Sequence, residues 1–198
     1  MKYYIKMAFM PFIYLVFATM LGWGITIIDK KLIVLQYVLC AVNTLFYAGI
    51  VGMAAFKDGQ KAVQIRAQND IYRRKIVETG EDLPLDIYGE YTPWKGFFIA
   101  FLACVPSILL VLIHFIIHLI DPTAPSSVGM AAGMLSMVVF SYFLITETVT
   151  VAQYAFILLL VPFVCGVYGG MFVIGANKEQ KYYDKIYEKS KRINGDKS

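Results

Sequence analysis

The chain has 198 residues, 59% of them hydrophobic and 16% charged, where soluble domains carry about a quarter charged residues, so a water-soluble globular fold is excluded. The formal net charge is +4, and its lysines and arginines gather at the edges of apolar stretches; that distribution excludes a nucleic-acid stripe and points to anionic lipid headgroups. Cys40, Cys104 and Cys165 stand singly in separate apolar stretches without metal-ligand spacing, and read as small buried residues.

Lys2 and Lys6 precede an apolar run over residues 8–28. This run is too long for the core of a secretory signal and has no small-x-small cleavage site before Asp29, so it is expected to stay as a first spanning helix. Crossing a hydrocarbon core of about 30 Å takes about 20 apolar residues. Stretches over 8–28, 32–56, 96–120, 128–146 and 151–176 are candidates. Only Asp29, Lys30 and Lys31 separate the first two, which makes residues 1–56 a tight transmembrane hairpin.

Residues 57–95 form the one sizeable polar segment. Ala62, Ile65, Tyr72 and Ile76 recur near multiples of the helical period, with Arg66, Asp70, Arg73 and Arg74 between them. The spacing predicts a cytoplasmic amphipathic helix over 60–79, capped by Gly80, with Pro84 and Pro93 keeping the remainder irregular. Glu81, Asp82, Asp86 and Glu90 have no calcium-ligand spacing. Tyr91, Trp94 and Lys95 fit an aromatic belt with a snorkelling lysine.

Residues 96–176 hold the remaining apolar stretches, and 177–198 form a basic tail. If all five stretches cross, the loop lysines and arginines divide nine against nine, which gives no orientation; if one stretch enters and leaves on the same side, they divide sixteen against two. The stretch over 128–146 is the shortest and is rich in small residues, so a re-entrant element is expected there. The expectation is an all-α polytopic membrane bundle of four to five transmembrane helices, in the cell membrane, with both termini cytoplasmic.

His114, His118 and Asp121 fall on one helical face at i, i+4 and i+7, a spacing able to hold a metal if Glu147 completes the set. The alternative is a pair of amphipathic histidines at headgroup level beside a helix-ending aspartate. No ionisable residue lies near the middle of any apolar stretch, and Asn43, Thr44, Ser107 and Ser141 read as interhelical hydrogen-bonding groups. Ala48/Gly52, Gly129/Gly133 and Gly166/Gly170 have the spacing of close helix contacts, and Pro106 and Pro162 are expected to kink their helices. Tyr182, Tyr183, Ile186 and Tyr187 alternate with lysines in the tail, a pattern suited to an anionic leaflet.

No hydrolase, metalloprotease, P-loop or dinucleotide motif is found, and no cofactor is implied. The sequence therefore reads as a non-enzymatic accessory protein or subunit whose partners are the bilayer, anionic headgroups and other membrane subunits or itself, with no nucleic acid. A small oligomeric transporter or channel, and a membrane-embedded metalloenzyme using His114, His118 and Asp121, are the alternatives.

Overall fold

A computed structural model describes residues 2–121, 131, 133, 136, 155 and 157–195. Its elements are α1 (Lys2–Thr26), a 3₁₀ turn (Lys30–Leu32), α2 (Ile33–Thr79), α3 (Lys95–Ile120), α4 (Leu160–Val164), a π-helical segment (Cys165–Gly169) and α5 (Gly170–Gly195). Among the described residues there is no strand. Four helical runs, Tyr3–Thr26, Ile33–Thr79, Lys95–Ile120 and Ile157–Lys189, are long and apolar enough to cross a membrane. The fold is that of a multi-pass helical membrane bundle. The stretch over 128–146, with Gly129 and Ser141, lies outside the described residues apart from isolated positions, and so does Glu147.

The α1–α2 hairpin closes through its polar residues. The Asp29 carboxylate accepts a hydrogen bond from the Lys31 backbone N–H at 3.0 Å, which starts the 3₁₀ turn. Gln36 then donates to the Ile28 and Ile25 carbonyls at 2.8 and 3.4 Å, satisfying acceptors that the end of α1 leaves without helical partners. Deeper in the pair, Asn43 donates to the Ala18 carbonyl at 2.9 Å, the interhelical role expected of it.

Leu15, Tyr47, Val51, Ile99, Leu160 and Phe172 belong to one buried core shared by all the long helices. Phe9, Phe17, Leu45, Leu112 and Leu119 are exposed around it. Such an apolar outer surface suits lipid and would be a liability in water.

The sequence reading separates a spanning helix over 32–56 from an amphipathic helix over 60–79, but the structure joins them into one helix of 47 residues. No proline interrupts residues 57–60, and the Asp58-Gly59 pair, a turn signal on its own, is held helical by the packing of Gly59 against α5. At about 1.5 Å per residue α2 is ~70 Å long, roughly twice the hydrocarbon thickness, so its second half stands clear of the bilayer. It ends where expected. Gly80 takes a left-handed φ of 74° and donates its N–H to the Ile76 carbonyl at 3.0 Å.

The last helical run accompanies α2 out of the membrane. A Cβ at Gly59 would lie 2.0 Å from the Phe172 carbonyl oxygen, and one at Gly175 would lie 2.1 Å from the Phe56 carbonyl oxygen. Only glycine permits this backbone approach. By contrast, among the described residues nothing lies within 4 Å of a Cβ built at Gly166 or Gly170, so it is Gly59 and Gly175 that mark the α2–α5 contact.

Three connections bring the N-terminus, the central segment and the tail to one end of the bundle. The Lys95 ammonium reaches Tyr3, Tyr4 and Phe98 meet edge to face at 5.5 Å, and Gln64 donates to Glu179 at 2.9 Å. Lys30 and Lys31 lie at the opposite end, in the α1–α2 turn. The described contacts thus gather these three segments at one end of the bundle.

Candidate functional site

The predicted histidine pair lies near the C-terminal end of α3. The His114 and His118 rings meet edge to face with centroids 4.5 Å apart, as i, i+4 spacing allows. His114 is fully buried against its neighbours in the bundle. His118 Nδ1 is also buried and makes no hydrogen bond among the described residues. Asp121 ends the helix, its backbone N–H donating to the Ile117 carbonyl at 2.8 Å. Among the described residues no three His, Cys, Asp or Glu side chains converge on a common metal position.

Most of the polar chemistry lies at the other end, where α2 and α5 leave the membrane. Sequence reasoning treats Lys95 as a snorkelling lysine, but it is only 3% exposed. Its ammonium donates to the Tyr88 and Glu90 carbonyls at 2.6 and 3.2 Å and lies 4.8 Å from the centre of the Tyr3 ring. The loop over 81–94 arches over this position and offers carbonyls that nothing else would satisfy, so the lysine turns inward. Trp94 beside it is 79% exposed, as a belt residue should be.

The same loop is tied to α2 by side chains that the acidic run gave no reason to single out. Asn69, which is buried, donates to the Asp86 carbonyl at 3.0 Å and to the Glu90 carboxylate at 2.7 Å, while its own oxygen accepts the Asp86 N–H at 3.2 Å. Arg73 bridges the Glu90 and Asp70 carboxylates, the latter at 2.8 Å. Tyr91 stacks on Phe172 of α5 with ring centroids 5.9 Å apart. A further tie joins the π-helical segment to α2, where the Tyr168 hydroxyl donates to Asp58 at 2.7 Å.

Between these ties lies a cleft of about 410 Å³, within the size range of small-ligand sites. Val63, Arg66, Ala67 and Asp70 of α2 form one wall, Asn177, Gln180 and Tyr183 of α5 the other, Ala176 contributes to the floor, and Tyr91 of the loop closes one side. The signal for this wall is in the sequence: Gly52, Gly59 and Arg66 are seven residues apart, the repeat expected of a helix face that meets one partner. Reading residues 57–60 as the end of a span hid that repeat.

Arg66 forms no ion pair or hydrogen bond among the described residues. Asp70 gives one oxygen to Arg73, and its Oδ2 has no such partner. Within and behind the rim, Arg66 and Arg73 balance Asp70 and Glu90, so the cleft combines separated charges with no local excess of either sign.

No protein family, curated protein or solved structure matches the chain. Its function must therefore be argued from this geometry.

Proposed function

We propose that the protein is a non-enzymatic subunit or accessory factor of a membrane assembly, and that the α2–α5 pair outside the bilayer is its docking arm. The observation that carries this reading is the length of α2, whose 47 residues extend far past the bilayer while α5 stays packed on them. A helix pair this long, braced by a lysine-locked loop, holds side chains at a fixed height above the membrane. Ile71, Val77, Ile186 and Tyr187 on this arm are exposed, and large apolar residues exposed to water beyond the lipid belt suit contact with another protein.

Sixteen of the eighteen loop lysines and arginines belong to the N-terminus, the central segment and the tail, which supports a cell-membrane protein with this end in the cytoplasm. Packing of α5 on α2 also limits how the tail meets anionic lipid. Lys178 reaches back over the Phe56 ring at 5.4 Å, near the bilayer edge, and Lys181 lies one turn farther out. These two are the lysines placed to contact headgroups, while Lys185 and the residues beyond are carried away from the surface.

A photocrosslinking residue at Ile186 or Val77, introduced in native membranes, tests the docking arm. The expected result is one discrete heavier adduct, reduced when Tyr187 is replaced by lysine. Recovery of uncrosslinked protein alone from both positions would refute the reading.

A further inference from the structure

We propose that the cleft between α2, Tyr91 and α5 binds a zwitterionic group that carries a phosphodiester and a primary ammonium, of which glycerophosphoethanolamine is a simple soluble example. This inference rests on the cleft alone and does not depend on the docking-arm reading.

The charges select the ligand class. A guanidinium without a partner is the side chain best matched to a phosphate, because its planar fork gives two parallel hydrogen bonds to two oxygens. Arg66 offers that fork at the rim. Asp70 stands one helical turn away, at i+4, with one carboxylate oxygen open, and an ammonium is its natural complement. Tyr91 and Tyr183 line the same cleft and narrow it around the two charges. A simple phosphate would satisfy Arg66 but face Asp70, and a simple amine would do the reverse. Because the four charges at and behind the rim cancel, a ligand of zero net charge with its own charges separated fits best.

The height of the cleft allows two sources for this group. Val63 lies seven residues beyond Phe56, about 10 Å along α2, and the headgroup layer is roughly 5–8 Å deep on each side. The lower edge of the cleft is therefore within reach of a lipid headgroup tilted upward, and its upper edge is open to soluble glycerophosphoethanolamine.

The test uses full-length protein purified in detergent. In one arm, soluble glycerophosphoethanolamine is titrated calorimetrically. In the other, micelles are doped with phosphatidylethanolamine or phosphatidylglycerol, and bound lipid is counted by native mass spectrometry. Arg66→Gln and Asp70→Asn are made at exposed positions, and unchanged thermal melting confirms that both variants fold. The expected result is one ligand per chain, weakened at least tenfold by either substitution, with phosphatidylethanolamine retained in preference to phosphatidylglycerol. Saturation in the soluble arm assigns a free ligand, and retention in the micelle arm alone assigns the lipid. The proposal is overturned if Arg66→Gln binds as wild type in both arms, if Asp70→Asn leaves the headgroup preference intact, or if neither arm shows binding.

Discussion

Replacing Gly59 by alanine sets two effects of known sign against each other. Alanine gains up to about 1 kcal/mol of helix propensity over glycine, so at an indifferent position the change would stabilise. At Gly59 the added Cβ would lie 2.0 Å from the Phe172 carbonyl oxygen and 3.0 Å from the Ala176 nitrogen. Ordinary carbon–oxygen contact is about 3.3–3.6 Å, so the helices must part by more than ~1 Å. The obstacle is backbone and cannot rotate away. A gap of that size forfeits roughly a quarter to a half of each neighbouring dispersion contact, and inserted core methyls typically cost about 1–3 kcal/mol. Strain outweighs propensity, and the net destabilisation is about 1–2 kcal/mol, or ~2–8 °C in melting temperature for a chain of this size. Gly49 on the same helix meets nothing within 4 Å, so Gly49→Ala is the control and should melt at or above wild type. Thermal denaturation in detergent, followed by circular dichroism or by retention on size exclusion, reads both variants. A Gly59→Ala protein as stable as Gly49→Ala would refute the close backbone approach.

Lys95→Met keeps much of the side-chain length but leaves the Tyr88 and Glu90 carbonyls without their donor, at a cost of about 1–3 kcal/mol, and limited proteolysis should cut the loop over 81–94 several times faster than in wild type. Asn43→Leu removes the bond to the Ala18 carbonyl; since membrane-embedded hydrogen bonds average under about 1 kcal/mol and the Asn43 Oδ1 is already unsatisfied, the melting temperature should move by no more than a few degrees. Tyr168→Phe strips the hydroxyl that donates to Asp58, and Asp58→Asn in the same background should restore part of the lost stability by removing a charge that has lost its donor. Additive losses in that double variant would contradict the pairing.

The apolar spans, the tight hairpin turn and the Gly80 cap are legible in the sequence because each depends on local chemistry: hydropathy over about 20 residues, a three-residue polar break, and a glycine after the last periodic position. The continuity of α2 was not legible, because hydropathy marks where lipid ends and not where a helix ends. Residues 57–60 change from apolar to polar and carry an Asp-Gly pair that locally favours a turn, yet close packing of Gly59 on α5 lets the helix run on. The inward turn of Lys95 depends on carbonyls from a loop whose path Asn69 and Arg73 fix from a distant turn of α2, and spacing along the chain cannot show such a contact. Half of the metal reading was visible: the i, i+4 spacing of His114 and His118 brings their rings together, while Glu147 lies outside the described residues. The cleft depends on the facing of α2 and α5, and its trace in the sequence is the repeat of seven through Gly52, Gly59 and Arg66.

The central claim is that α2 and α5 leave the bundle together at one end, and bridging engineered cysteines at Gln64 and Glu179 with a short bifunctional thiol reagent tests it most directly. Gln64 Nε2 and Glu179 Oε1 are 2.9 Å apart, so the two positions face each other across the pair. In membranes from a variant with Cys40, Cys104 and Cys165 replaced, a bis-thiosulfonate reagent long enough to replace the two side chains should join Gln64→Cys to Glu179→Cys within one chain in high yield, while Gln64→Cys with Tyr187→Cys should stay unlinked. If the first pair does not crosslink and impermeant thiol reagents label its two positions from opposite sides of the membrane, the account is wrong.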